Sequence, residues 1–325
     1  MLTGLSLPMV ALLALAGMLL DAILGETRRW HPLVGFGNWA NWIEAHLNGG
    51  AAPSASPVSS RARFWRGILA WLLAVMPFTL LAFYLSSFIP VGWFLHAVLL
   101  YFCVGLRSLR EHTLPIARAL AAGDLARARL LTSYIVSRDT QQLQETDLAK
   151  AATESLLENG NDAVFGTLFW FLVAGGPGAV MFRLANTLDA MWGYRTARFL
   201  DFGCFAARFD DVLNSIPARL TAASYVLLGR SLADKRRAWQ CWRTQAPAWS
   251  SPNAGPVMAS GAGALGLALG GAAVYDGEIE QRPPLGLGPA ALAQDIERAW
   301  RLVAATAVLW LVVLGLAGAV SWFSQ

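Results

Sequence analysis

Long apolar runs alternate with charged segments along this chain. Residues 5–24 are apolar over about the 20 positions that a bilayer crossing needs. Two further runs, 67–85 and 88–106, are parted only by Ser86-Ser87 and read as a helical hairpin. A run at 163–182 is interrupted by Gly175-Gly176-Pro177-Gly178, so a broken or re-entrant helix is expected there. The run at 212–229 carries Pro217 and Arg219, which leaves its status as a span open. A last run covers 303–323. Segment 107–162 is polar enough to leave the membrane. Its pattern predicts a helix over 115–122, a break at Gly123, an N-cap at Asp124 for a helix over 125–135, and a helix over 142–158 that ends at Asn159-Gly160. Residues 48–60 read as a flexible linker, and 249–289 are rich in glycine and proline.

Charge orients these runs. Arg61, Arg63 and Arg66 precede the hairpin, Arg107 and Arg110 follow it, and the turn between its arms is uncharged. The positive-inside rule puts the arginine ends, and also Arg298 and Arg301, in the cytoplasm. The expected fold is all-α: a polytopic integral membrane protein with cytoplasmic helical segments and a re-entrant or broken helix region, organised as a single membrane-embedded domain over 1–325.

Composition agrees with this reading. The chain has 325 residues, of which 56% are hydrophobic and 14% charged, with mean hydropathy +0.46. A signal peptide is the rival reading of 5–24, but no Lys or Arg precedes that run. The net charge of +4 is small, and no basic run is interleaved with aromatics, which argues against a nucleic-acid partner. Cys103, Cys204 and Cys241 form neither a metal pair nor a disulfide framework. His46, His96 and His112 lack companions at ligand spacing. Gly261-Ala262-Gly263-Ala264-Leu265-Gly266 matches G-x-G-x-x-G, but no strand–helix unit is expected around it. Close helix packing is the better use of these glycines.

Charged residues in so apolar a chain mark candidate sites. In the stretch 201–221, Arg208, Asp211 and Asn214 are spaced to share one helix face, with Asp210 beside it. A salt-bridge stripe at the membrane boundary is the alternative. Glu154, Glu158 and Asp162 recur every fourth residue, either as a solvated face or as ligands for a cation. Ser137-Arg138-Asp139-Thr140 is a turn, or a loop presenting an arginine to phosphate or carboxylate. Asn186-Thr187-Leu188-Asp189, with Gly193-Tyr194-Arg195, is another polar insertion. Arg28-Arg29-Trp30-His31-Pro32 and Ser251-Pro252-Asn253-Ala254-Gly255 complete the set.

Taken in order, these motifs resemble the adenosylcobinamide-phosphate synthase family, membrane-bound enzymes of cobalamin biosynthesis, over nearly the whole chain. Departures include Glu26-Thr27, Gly160-Asn161, Gly166-Thr167 and Trp249, none of which removes an acid or arginine from the motifs. The resemblance implies ATP-dependent amide formation. A carboxylate of adenosylcobyric acid would join 1-aminopropan-2-ol or its O-phosphate, giving adenosylcobinamide or its phosphate. It implies ATP and Mg²⁺ as cofactors and a corrinoid as substrate. Membrane lipid would be a partner, and other corrinoid-pathway enzymes are further candidates. The location implied is the cell (inner) membrane, with the active site facing the cytoplasm. On this reading Arg138, Asp139, Glu154, Glu158, Asp189, Arg208 and Asp211 are catalytic candidates. Arg28, His31, Asn159, Asn186, Tyr194, Asn214, Arg219, Ser251 and Asn253 are binding candidates. Glu158, Asp162, Asp210 and Asp211 are candidates to hold Mg²⁺. Arg138, Arg208 and Arg219 suit phosphates or the corrinoid carboxylate, and Asp189 or Glu154 suits the amine proton. A corrinoid transporter and a non-catalytic membrane sensor are the alternatives from other classes. An Asp211→Asn variant that folds should lose turnover in an amide-product assay; wild-type rates would remove Asp211 from the site.

Overall fold

The computed structural model describes residues 4–26, 32–48, 59–88, 92–275 and 278–324. In order the elements are α1 (Leu7–Leu24), α2 (Pro32–Leu47), α3 (Ser60–Phe88), α4 (Leu95–Cys103), α5 (Leu106–Ala121), α6 (Leu125–Ser133), α7 (Glu145–Gly160), α8 (Gly166–Trp192), α9 (Cys204–Leu227), α10 (Leu232–Gln245), α11 (Ala254–Leu265), strands β1 (Leu269–Tyr275) and β2 (Glu278–Leu285), and α12 (Ala293–Phe323). About 78% of the described residues are helical, and the fold is that of a polytopic, nearly all-α protein. Among the described residues, five helical stretches are long and apolar enough to cross a membrane: Leu7–Leu24, Ser60–Ser87, Gly92–Ala121, Glu145–Trp192 and Ala293–Phe323. The run 212–229 falls in α9, which is not one of the five, although α9 exposes Val212, Ile216, Leu220 and Leu227.

The sequence reads as one membrane-embedded domain, and the contacts of the chain cluster into two compact units. The first comprises Met1–Gly105, Gly166–Asn214 and Leu314–Gln325; the second comprises Leu106–Phe165 and Ser215–Val313.

The first unit is built on helical apolar faces. Ala70, Trp71, Ala74 and Val75 of α3 pack with Phe182, Ala185, Leu188 and Trp192 of α8 and with Ala206 and Leu213 of α9. Trp71 meets the rings of Phe205 and Phe209 edge-on, at 5.6 and 4.8 Å. Two glycines let backbone touch backbone. A Cβ on Gly203 would lie 1.7 Å from the Trp192 carbonyl oxygen, and one on Gly67 would lie 2.0 Å from that of Phe202. The break expected in the apolar run 163–182 is present. Ala174 and Gly175 leave helical geometry, Gly175 at φ 61°, and the Gly176 N–H donates to His96 Nδ1 of α4 at 2.9 Å. The donor exposed at the break therefore finds an acceptor inside the protein, which an apolar setting demands.

A polar clamp ties α2 to the loop before α9. Glu44 is buried, and its carboxylate accepts from Arg198 Nε at 3.0 Å, from Arg198 Nη2 and from Asn48 Nδ2 at 2.6 Å. Burial alone would raise the Glu44 pKa. The hydrogen bonds from Arg198 and Asn48, with the Arg198 charge, outweigh it and hold the group below its ordinary value.

In the second unit Asp124 caps α6, accepting from the Arg127 N–H at 3.0 Å. Ser231 and Asp234 form a capping box at the start of α10. Every residue of α11 is buried. Its glycines face neighbouring helices closely: a Cβ on Gly261 would meet Leu157 at 2.8 Å, and one on Gly263 would meet the Ala238 Cα at 2.6 Å. The G-x-G-x-x-G string is thus packing surface, as its sequence context implies. The hairpin β1–β2 is antiparallel, with Leu269 opposite Leu285 and a bulge between Gly270 and Ala272. Gly270 and Gly271 stand at φ 71° and 70°, where a side chain would be strained. This hairpin lies inside the Gly/Pro-rich segment 249–289 and is not expected from its pattern.

Because the Glu44 pKa is depressed on folding, the clamp contributes fully above the unfolded carboxylate value of about 4.3 and fades as pH falls through the lower folded value. Thermal midpoints of wild type and Glu44→Gln in detergent should therefore differ at neutral pH and converge in acid. A gap independent of pH would show that the Glu44 charge does not contribute.

Candidate functional site

The second unit centres a polar cleft on one buried carboxylate. Glu154 lies on α7, whose apolar positions Leu148, Ala151, Ala152, Leu156 and Leu157 are buried around it. Its Oε2 accepts from Arg138 Nη2 at 2.8 Å and from Arg282 Nη1 at 3.1 Å. Its Oε1 accepts from Arg282 Nη2 at 3.2 Å and from the Gly270 N–H at 2.7 Å. All three charged side chains are nearly excluded from solvent, at 5% for Arg138 and Glu154 and 10% for Arg282. A buried ion is tolerated when its lone pairs are filled in this way.

Each partner is positioned by local chemistry. The loop carrying Arg138 is stapled by Thr140 Oγ1 to the Arg129 carbonyl at 3.0 Å, by Arg129 Nε to the Leu143 carbonyl at 3.0 Å, and by Ser155 Oγ to the Ile135 carbonyl at 3.0 Å. Arg282 reaches Glu154 from β2. Its Nε donates to the Gly271 carbonyl at 3.2 Å, and its guanidinium lies over the Trp249 ring at 5.4 Å. A cleft of about 480 Å³ opens beside this cluster, lined by Ser137, Arg138, Glu154, Glu158, Asn159, Trp249, Ser251, Glu280 and Arg282 among others. That volume is within the range of small-molecule sites, roughly 300–1,000 Å³.

A second cleft of about 460 Å³ shares Ile135, Val136, Ser137, Ser155 and Asn159 with the first and adds Ser108, His112, Thr113 and Tyr134. His112 Nδ1 is 2.8 Å from the Ser108 carbonyl oxygen. A carbonyl can only accept, so Nδ1 carries the proton in the neutral ring and Nε2 keeps a lone pair.

The other candidates fall as follows. Asp139 is exposed, and its Oδ1 accepts from the Gln141 N–H at 2.8 Å, closing a turn outside the cleft lining. Asp162 accepts from Asn161 Nδ2 at 2.9 Å within a π-helical turn, Asn161–Phe165, a form that often marks functional positions. Arg219 Nη1 donates to Asn253 Oδ1, while Ser251 Oγ accepts from the Asn253 and Ala254 N–H groups at the start of α11. In the first unit, Asp210 is buried and accepts from Asn186 Nδ2 at 3.3 Å and from Asn214 Nδ2 at 3.0 Å. The buried face of α9 is therefore that of Ala206, Asp210 and Asn214. Arg208 is exposed and Asp211 half-buried, so the face grouping Arg208, Asp211 and Asn214 gives way to the i, i+4 pair of Asp210 and Asn214. Asp189 lies near the Gly193 turn, whose N–H donates to the Asp189 carbonyl at 2.7 Å, and Tyr194 is exposed. Arg28 and His31 lie outside the described residues.

Arg282 and His112 are the residues that the motif reading misses. Arg282 sits before Pro283-Pro284, a context that argues against a strand. The one available signal was a lone arginine closing a run of acids, Asp276, Glu278 and Glu280. Among the described residues no group of three or more His, Cys, Asp or Glu side chains is arranged to hold a metal ion. Mg²⁺ commonly takes one or two protein carboxylates together with substrate phosphates, and Glu158 in the cleft fits that smaller requirement.

A multi-pass helical protein with a guanidinium-bearing polar cleft is the class defined so far. The chain belongs to the CobD/CbiB family: the family model described as "CobD/Cbib protein" matches residues 14–303. It is 58% identical over 307 residues to the "Cobalamin biosynthesis protein CobD" of Stutzerimonas stutzeri (strain A1501), covering 94% of this chain and 97% of that one. Identity to the protein of the same name from Chromobacterium violaceum is 55% over 303 residues, covering 93% and 95%. For that of Halalkalibacterium halodurans it is 34% over 313 residues, covering 93% and 95%. No solved structure matches.

Removing the Glu154 carboxylate strands two buried guanidiniums, a loss of about 3–5 kcal/mol. Glu154→Ala should lower the thermal midpoint and open the hairpin 269–285 to proteolysis and amide exchange. Arg282→Ala should expose the hairpin with a smaller loss, since Arg138 still pairs Glu154. An unaltered hairpin in both variants would show that the cluster does not hold it.

Proposed function

We propose that this chain works in cobalamin biosynthesis as a membrane-bound amide-forming enzyme. It would join a carboxylate of adenosylcobyric acid to 1-aminopropan-2-ol or its O-phosphate at the expense of ATP. The observation that carries the reading is the 58% identity, nearly end to end, with a protein named for cobalamin biosynthesis. The five membrane-length helices support a multi-pass location, which we place in the cell (inner) membrane with the cleft facing the cytoplasm.

ATP, when bound with Mg²⁺, would supply the activation that a carboxylate needs before an amine can displace its oxygen. The residues of the cleft suit such a ligand: guanidinium donors for phosphate oxygens, Glu158 as a Mg²⁺ ligand, and Asn159 and Ser251 as hydrogen-bonding groups. Arg138 gives one of its five N–H groups to Glu154 in the bonds described, so it retains donors for phosphate or carboxylate. Both Glu154 oxygens are engaged by cations or an N–H, and that commitment makes Glu154 a positioning residue rather than a proton acceptor. His112, which lines the adjoining cleft, suits the proton of the amine better, because its Nε2 keeps a lone pair.

Purified protein mixed with adenosylcobyric acid, the amino alcohol phosphate and Mg-ATP should yield the amide by mass spectrometry. No product with either amine, or ATP-independent corrinoid flux in proteoliposomes, would overturn the reading in favour of a sensor or a transporter. His112→Gln should lower turnover by about 10²- to 10⁴-fold with little change in thermal midpoint, the range for a lost general base. Wild-type turnover in that variant would return the proton to another group.

A further inference from the structure

We propose that a cavity beside the start of α12 binds the headgroup phosphate of an anionic phospholipid, independently of the chemistry proposed above. The cavity holds about 220 Å³ and lies wholly in the second unit. Arg230, Arg298 and Arg301 border it, and Leu228, Leu265 and Leu302 are among its walls. The three arginines differ in how they are held. Arg298 is pinned: Nη1 donates to the buried Asp295 at 2.6 Å and Nη2 to the Leu265 carbonyl at 2.6 Å. Those bonds fix the guanidinium at the cavity and leave N–H groups to spare. Arg301 is 65% exposed on its side chain, and its bond to Glu297 is long, at 3.3 Å. Arg230 is exposed, and no hydrogen bond or ion pair of its side chain occurs among the described residues. Three arginines against Asp295 and Glu297 leave the cluster at 3 − 2 = +1, with the compensating acids already engaged.

The walls and the helix choose among anions. Free phosphate needs donors but gains nothing from leucines. A phospholipid needs both, since its glycerol and acyl carbons continue from the phosphate. The helix leaving the cavity is one of the five of membrane length, and beyond Ala305 it exposes Val308, Val312 and Val313. Arginines at the end of such a helix sit at headgroup level, where basic pockets attract anionic lipid.

The test uses the full chain in detergent, titrated with phosphatidylglycerol, phosphatidylcholine or inorganic phosphate and followed by native mass spectrometry and thermal midpoint. Wild type should bind phosphatidylglycerol about tenfold or more tightly than phosphatidylcholine, as expected for charge contacts to exposed arginines. Inorganic phosphate should neither raise the midpoint nor displace the lipid. An Arg230→Gln, Arg301→Gln double variant should lose the preference, and the Arg230→Lys, Arg301→Lys variant should keep most of it. Both leave pinned Arg298 intact, and the lysine variant separates lost charge from lost fold. Equal binding of the two lipids, a preference unchanged in the glutamine variant, or displacement by inorganic phosphate would each overturn the proposal.

Discussion

One carboxylate organises the second unit. Glu154 is buried on α7 at the edge of the cleft, where little of it meets water, so most of its charge must be met by protein. Arg138 meets it from an irregular loop, and Arg282 and the Gly270 N–H meet it from the hairpin. Neither the loop nor a two-stranded hairpin with two successive glycines would hold a fixed form in isolation. The carboxylate gives both a common reference point, and the cleft beside it inherits its shape from that arrangement. Buried ion clusters are weak evidence of net stability, and specifying an arrangement is the role that this cluster serves.

Small residues are the second constraint. Where α11 passes α7 and α10, glycine removes the Cβ that would collide with Leu157 or with the Ala238 backbone. Helices brought this close gain dispersion contacts that bulkier side chains would prevent. In the first unit Gly67 and Gly203 do the same against carbonyl oxygens. The scaffold around the polar clusters is therefore tightly fitted, and a side chain such as Ser155 can use its hydroxyl to anchor a loop.

The legible part of the sequence was the part that repeats. Apolar runs of membrane length, the Gly-Pro break in α8 and the Asp124 cap are local patterns, and each has its counterpart in the structure. The acids of α7 and Arg138 stood out because charge is scarce in this chain. What was not legible depends on contacts distant in sequence. Arg282 lies 128 residues from the glutamate it pairs with, and its strand carries Pro283 and Pro284, which mimic a loop. The orientation of α9 also escaped, because Asp210 and Asp211 are adjacent and only packing decides which one turns inward. The His112 tautomer is set by a backbone carbonyl that no motif encodes.

The bond between the Gly176 N–H and His96 Nδ1 bears on how the protein is made. Synthesis runs from the N-terminus, so α4 with its imidazole leaves the ribosome 80 residues before the broken turn of α8. The acceptor waits for the donor. A helix that would otherwise enter lipid with an orphaned amide can enter against a neighbour already carrying its partner. The order of the two segments along the chain is thus also a workable order of insertion, and a circular permutation that reversed it would make the interrupted helix wait for its acceptor.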